Sequence, residues 1–357
     1  MRAVFSGWTG MRVLIVKLSS MGDLVQTLPA VTDAARAIPG IRFDWAVDEA
    51  FAEVPTWHPS VERTIVSAHR RWKRSLKTAW RSGELKAYWH TLREQKYDLV
   101  LDAQTSFKSA TVARMARGLR AGPDADSVRE KGAHLFYQRR FNVAQDILAV
   151  DRWRDLFAAG LEYERPQTAP EFGLAEREWP AQSITHNPYI VAVTNASWPT
   201  KCLPAQSWQA LIDLAAEKGL DVLLPWGSPA ERDAAEQIAA GCRNAKVLER
   251  MTLTQLAGLL HTSQGAVCND TGLAHISAAL GKPTVTAYGP TDPKLIGATG
   301  PRSTHIVAPG YICNECGKRL CRHEDATATN GQPGQRPRTL NAITGEQLWH
   351  ALNQLQN

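Results

Sequence analysis

No run of apolar residues in this chain approaches the ~18 in succession that a membrane-spanning helix requires, so a helical membrane span is excluded. Cysteine is scarce. Six in 357 residues cannot make a disulfide scaffold, and Cys202, Cys242 and Cys268 are scattered. No G-x-G-x-x-G follows the first strand-like run, which counts strongly against a nicotinamide-dependent oxidoreductase. There is no internal repeat and no low-complexity tract, and a charged fraction of 21% argues against a disordered chain. The first ten residues, MRAVFSGWTG, are too short and too polar for a secretory leader. With a second Met at position 11 just before the first strand, residues 1–10 read as a dispensable extension.

Acids are missing from one further place. Residues 63–80, RTIVSAHRRWKRSLKTAW, hold six Lys or Arg and no Asp or Glu. Most charge runs are solvated faces. Here Trp72 and Trp80 are interleaved with the cations, a mixture that favours an anionic partner: nucleic acid, a phosphorylated glycan or an anionic membrane face.

What the chain does contain is alternation. Strand-like runs at 13–16, 43–47, 64–66 and 99–102 alternate with helical patterns, and so do runs at 189–193, 222–225, 246–248, 266–268 and 284–287. Such spacing predicts βαβ units and parallel sheets. The polar, Pro-containing stretch EREWPAQSITHNP reads as a linker near 176–188. The expected organisation is the extension 1–10, a Rossmann-like domain 11–180, a second 181–340, and a closing helix within 341–357 that packs back on the first domain. Open α/β sheets bind ligands beyond the carboxyl ends of their strands, so informative residues should follow strands.

They do. After the first strand comes KLSSMGDLVQTLPAV, a strand–turn–helix shaped like a phosphate loop, except that the turn ends in an acid, Asp23. The charge is wrong for phosphate, and a helix cap is the bland alternative. In TNASWPTKCLPAQSW a turn of small polar residues leads to Lys201, which could hold a phosphate as a point charge. In AVCNDTGLAHISAALGKPTVTAYGPTDP, a strand delivers Asp270, and Thr271-Gly272-Leu273 opens a helix whose amides and dipole suit a pyrophosphate. Asp270 could cap that helix or accept sugar hydroxyls, and His275 lies on the helix face. In LLPWGSPAERDAAEQIA, Glu231 falls near a helix start, where it could offset the dipole or accept ribose hydroxyls. In CNECGKRLCRH, the residues Cys313, Cys316, Cys321 and His323 could hold zinc. Reduced thiols are the favoured reading, because zinc sites usually space their ligand pairs further apart.

Taken together, KLSSMGDLVQTLPAV, DAQTSFKSA, SVREKGAHLFYQRRF, AVDRWRDLF and NDTGLAHISAALGKPTVTAYGPTDP resemble the ADP-heptose:lipopolysaccharide heptosyltransferase family, over nearly all of 11–357. The resemblance implies a GT-B fold, two Rossmann-like domains with parallel sheets facing across a cleft. It implies inverting transfer of L-glycero-D-manno-heptose from ADP-L-glycero-D-manno-heptose to the first Kdo of Kdo2-lipid A. Asp23 then matches the family's catalytic base. Ser197, Lys201, Glu231, Asp270, Thr271, Gly272, Leu273 and His275 would bind the donor, although Ala196 stands where the family pattern has Thr. Arg70, Arg71, Lys108, Arg129 and Arg152 would bind the anionic acceptor. No cofactor is implied, divalent-cation dependence is left open, and nucleic acid is not a partner. The implied location is cytoplasmic, peripherally associated with the anionic inner-membrane face.

Three alternatives remain at this point. A sister heptosyltransferase, II or III, would share the donor loops and act on a later core acceptor. A nucleotide-binding oxidoreductase could use two Rossmann-like halves. A noncatalytic zinc and nucleic-acid module would rest on the Cys cluster and the basic stretch.

Overall fold

The structure, a computed structural model, describes residues 10–308, 327–329, 332–336 and 338–356. Cys313, Cys316, Cys321 and His323 lie outside the described residues. The chain divides into two compact units, Met1–Arg177 and Glu178–Asn357.

In the first unit the elements run β1 (Arg12–Val16), α1 (Met21–Ala37), β2 (Arg42–Asp48), β3 (Val61–Ser67), α2 (His69–Arg74), α3 (Leu76–Arg81), α4 (Glu84–Arg93), β4 (Lys96–Asp102), α5 (Phe107–Met115), β5 (Arg117–Pro123), β6 (Arg139–Phe141) and α6 (Ala149–Leu161). The strands form one six-stranded sheet in the order β3-β2-β1-β4-β5-β6, every pair parallel. β1 is a continuous apolar run because helices cover both faces of a parallel sheet; Val13, Leu14, Ile15 and Val16 are all fully buried. Strand order reverses between β1 and β4, the switch point where such sheets bind ligands.

The second unit repeats the plan with β7 (Tyr189–Val193), α7 (Ala205–Glu217), β8 (Asp221–Leu224), α8 (Pro229–Ala239), β9 (Ala245–Val247), α9 (Leu253–Thr262), β10 (Ala266–Asn269), α10 (Gly272–Ala279), β11 (Thr284–Tyr288), α11 (Pro293–Ile296) and β12 (Ser303–Val307). Its sheet order is β12-β11-β10-β7-β8-β9, again all parallel, with the reversal between β7 and β10. Two Rossmann-like sheets are the expected fold class.

Three strands of the two parallel sheets lack a run in the sequence. β5 reads RGLRAGP, β6 is three residues at a sheet edge, and β12 is a half-buried edge strand. None needs the uniform apolar run of a strand covered on both faces.

The closing helix, Gly345–Gln356, belongs to the second unit's core. Its buried Leu348, Trp349 and Leu352 join that core with Ile190, Trp208 and Leu211. Gly345 lets it approach α7: a Cβ there would stand 2.6 Å from Ala210 Cβ and 2.7 Å from Ser207 O. The basic stretch needs correction. Trp72 is buried, meets the Tyr88 ring edge-to-face and donates from Nε1 to Glu84 at 2.8 Å, whereas Trp80 is 73% exposed. The helix breaks at Ser75 between α2 and α3, so the two tryptophans fall on different faces.

Candidate active site

In the first unit, the turns after β1 and β4 meet at the switch point and are tied together. Gln104 Oε1 accepts the N–H groups of Leu18 and Ser19, both at 3.0 Å. The second turn is built on the fully buried Asp102. Its Oδ1 accepts from the amides of Gln104 (2.8 Å) and Thr105 (3.0 Å), and its Oδ2 from the Tyr137 hydroxyl (2.7 Å). Burial pushes the Asp102 carboxyl up, and those hydrogen bonds oppose the shift.

Asp23 is the third residue of α1 and closes a capping box with Ser20. Its Oδ2 accepts both the Ser20 N–H (3.1 Å) and the Ser20 hydroxyl (2.7 Å). Its other oxygen, Oδ1, lies 3.6 Å from Lys17 Nζ. The side chain is a third exposed, at 37%. Asp23 is therefore a cap through one oxygen and faces a cation through the other, so the two readings of this acid are compatible.

Lys17 is the residue that sequence reasoning missed. It follows β1 directly and is buried, with its ammonium donating to Ala103 O at 2.8 Å and lying 3.6 Å over the Trp153 ring. Burial pushes its pKa down to about 8; Asp23 and Asp102 pull it up and Arg152 pushes it further down. Burial likewise lowers Arg152, with Asp23 opposing. Lys17, Asp23 and Arg152 thus form one electrostatic cluster. Its only sequence signal is a lysine directly after a buried apolar strand.

The remaining expected acceptor residues divide. Lys108, at the start of α5, has its ammonium lowered by desolvation, with Arg70 and Arg129 pushing the same way and Asp48 and Glu130 opposing. Those three cations therefore share a neighbourhood. Arg70 also lies 5.1 Å over the Phe51 ring. Arg71 has anionic partners instead: it forks onto Glu49 (3.2 and 3.1 Å) and Glu84 (3.0 and 2.8 Å).

In the second unit, the turns after β7 and β10 also meet at a switch point. Lys201 Nζ lies 2.6 Å from Asp270 Oδ2, with side chains 13% and 4% exposed. Thr291 donates its hydroxyl to the same carboxylate. Asn269 braces the two turns, accepting from Leu203 N–H (3.2 Å) and donating to Thr194 O (2.7 Å). Thr271 caps α10 by position, Gly272 is its first residue, and Leu273 and His275 are buried along it. Ser197 is exposed in the β7–α7 turn. Glu231 closes a capping box with Ser228, its Oε2 accepting from Gly227 N–H (2.8 Å) and Ser228 N–H (3.0 Å), while its carbonyl accepts from Asn195 (3.2 Å).

Among the described residues, no group of three His, Cys, Asp or Glu side chains is arranged to hold a metal ion. No helix among them is long and apolar enough to cross a membrane.

Comparison with known proteins matches residues 85–327 to glycosyltransferase family 9 (heptosyltransferase). The lipopolysaccharide heptosyltransferase 1 of Pseudomonas aeruginosa is 45% identical over 315 residues, 88% of each chain. The solved structure of E. coli heptosyltransferase WaaC with ADP is similar with a TM-score of 0.83 at 38% identity, covering 97% of this chain and 100% of that one. The structure of WaaC with ADP-2-deoxy-2-fluoro heptose gives 0.80 at 38% identity, covering 96% and 99%.

Proposed function

The chain belongs to glycosyltransferase family 9, the heptosyltransferases, and from that premise we propose the reaction it performs and the residues that perform it. It is a glycosyltransferase that transfers heptose in the assembly of the lipopolysaccharide inner core, with ADP-heptose as donor. The oxidoreductase and noncatalytic alternatives fall with that membership. The acceptor in our reading is the first Kdo of Kdo2-lipid A, and transfer inverts the anomeric carbon in a single displacement.

A single displacement needs a base on the acceptor hydroxyl and a stabilised leaving phosphate. Asp23 is the base. Ser20 fills Oδ2 with two donors, so the acceptor's proton goes to Oδ1, the oxygen facing Lys17. Lys201 and the first amides of α10 neutralise the departing ADP, Asp270 and His275 face the heptose, Ser197 and Leu273 line the phosphates and base, and Glu231 takes the ribose hydroxyls. Lys108, Arg70, Arg129 and Arg152 hold the acceptor's carboxylates and phosphates. The observation that carries the reading is the pair Lys201–Asp270 beside the α10 N-terminus, because a buried cation and acid at the carboxyl ends of adjacent strands suit a phosphorylated sugar.

The acceptor is a lipid, and we place the enzyme at the cytoplasmic face of an anionic membrane. Leu76 (64% exposed) and Trp80 (73% exposed) stand four residues apart on α3, flanked by Lys73, Arg74, Lys77 and Arg81. Exposed Trp and Leu among cations favour an anionic interface.

The test is a substrate panel. ADP-heptose, UDP- and GDP-sugars are offered with Kdo2-lipid A and with a core already carrying one heptose. Turnover only with ADP-heptose and the unextended acceptor is expected. A preference for the heptosylated core would replace this reading with that of a sister enzyme.

A further inference from the structure

Lys17 carries an inference beyond these assignments. Moving an ammonium into a protein interior is costly unless every donor is used and an anion is near. The fold nevertheless places one here and surrounds it: Ala103 O at 2.8 Å, the Trp153 ring at 3.6 Å and Asp23 Oδ1 at 3.6 Å. The charged groups facing it come from three elements: Asp23 from α1, Asp102 from β4 and Arg152 from α6. Trp153, on α6, shields it from water on one side. Nothing in the packing of the sheet asks for a charge, since the preceding residues Val13–Val16 are buried apolar ones.

We infer that Lys17 is the positioning residue of the base, its clamped ammonium fixing Oδ1 of Asp23 in place. The inference rests on the reading of Asp23 as the base. Ser20 restrains one oxygen of the carboxylate, Lys17 restrains the other, and the plane of the group is thereby set for the incoming hydroxyl. No atom is transferred to or from Lys17; the proton passes from the acceptor hydroxyl to Asp23 and then to water.

A positioning ammonium works only while protonated. Burial lowers its pKa to about 8, so kcat should fall as pH rises through that value. The experiment compares kcat, donor KM and melting temperature from pH 6 to 10 for the parent, Lys17→Met, Lys17→Arg and Asp23→Asn. In Lys17→Met we expect kcat lower by about ten- to a hundredfold, the scale of a misplaced catalytic group, an unchanged donor KM, and no alkaline limb near pH 8. In Lys17→Arg, whose cation does not titrate in this range, we expect partial activity that persists at pH 9 and above. A merely structural lysine would move melting temperature without moving the limb. Lys17→Met with parental kcat and pH profile, or Lys17→Arg retaining the limb at about pH 8, overturns the inference while an inactive Asp23→Asn leaves the base standing. An active Asp23→Asn removes the base, and this inference with it.

Discussion

Lys201 and Asp270 are paired with each other at 2.6 Å in a site nearly closed to water. The pair joins two turns that approach only in the folded sheet, and it changes what a single truncation should do. In Lys201→Ala, Asp270, 4% exposed in the parent, keeps only the Thr291 hydroxyl as a side-chain partner among the described residues. Removing one member of a buried pair costs about 3–5 kcal/mol. Lys201→Ala should therefore lose melting temperature as well as donor use, and adding Asp270→Asn should restore part of the stability and none of the turnover. A Lys201→Ala protein as stable as its parent would show that the pair is weak.

The basic residues of the first unit should separate by partner, not by charge. Arg71 is held by Glu49 and Glu84, so Arg71→Ala should leave the acceptor KM near its parental value. Lys108 shares its neighbourhood with Arg70 and Arg129 as well as with Asp48 and Glu130, and an anionic ligand would add to the acids that offset these cations. Lys108→Ala should raise acceptor KM by about tenfold or more, the worth of one charge-assisted contact, and leave ADP affinity alone. Steady-state kinetics with calorimetry for ADP measures both, and the opposite ranking of Arg71 and Lys108 would sink the assignment.

His58 gives a prediction in pH. It is buried between Thr32 Oγ1 (2.9 Å) and the Ser60 amide, which donates to Nδ1 at 3.1 Å. Since Ser60 donates to Nδ1, the proton of the neutral ring sits on Nε2. Burial lowers the pKa to about 4. The unfolded chain takes up the proton below its ordinary value near 6.5, and the folded chain does not until about pH 4. Stability is therefore full above about pH 6.5 and declines as pH falls toward 4, by at most about 3 kcal/mol. His58→Gln should flatten that decline, and parallel melting curves for both proteins at pH 7, 6 and 5 would contradict it.

How much of this was legible follows from which interactions are local. Strands covered on both faces announce themselves as apolar runs, and the turns after them hold Asp23, Lys201 and Asp270. Capping is local too, since Ser20–Asp23 and Ser228–Glu231 are three residues apart. What could not be read is long-range pairing. Arg71 meets Glu49 and Glu84 from two other elements, Lys17 meets Trp153 across more than a hundred residues, and Trp72 and Trp80 diverge because a helix breaks between them. β5 lacked a signal because its first four residues are exposed or half-buried, which leaves room for Arg117 and Arg120 in a strand.

The capping box makes Asp23 a sharper test than either role alone. Asp23→Asn retains an oxygen that can accept from Ser20, and Asn caps helices about as well as Asp. It removes the basic oxygen facing Lys17. General-base catalysis contributes about 10²–10⁴-fold, so kcat should fall by that factor while ADP-heptose affinity barely moves, and stability should fall only by what Lys17 loses with its anion. Asp23→Ala also removes the cap, and it should lose the same activity together with about 0.5–2 kcal/mol of stability beyond that of Asp23→Asn. Because the cap and the base belong to different oxygens, the difference in stability between the two variants reports the cap alone. A nearly active Asp23→Asn beside a destabilised Asp23→Ala would mean that the carboxylate serves the helix alone, and the proton would then have to leave the acceptor by another route.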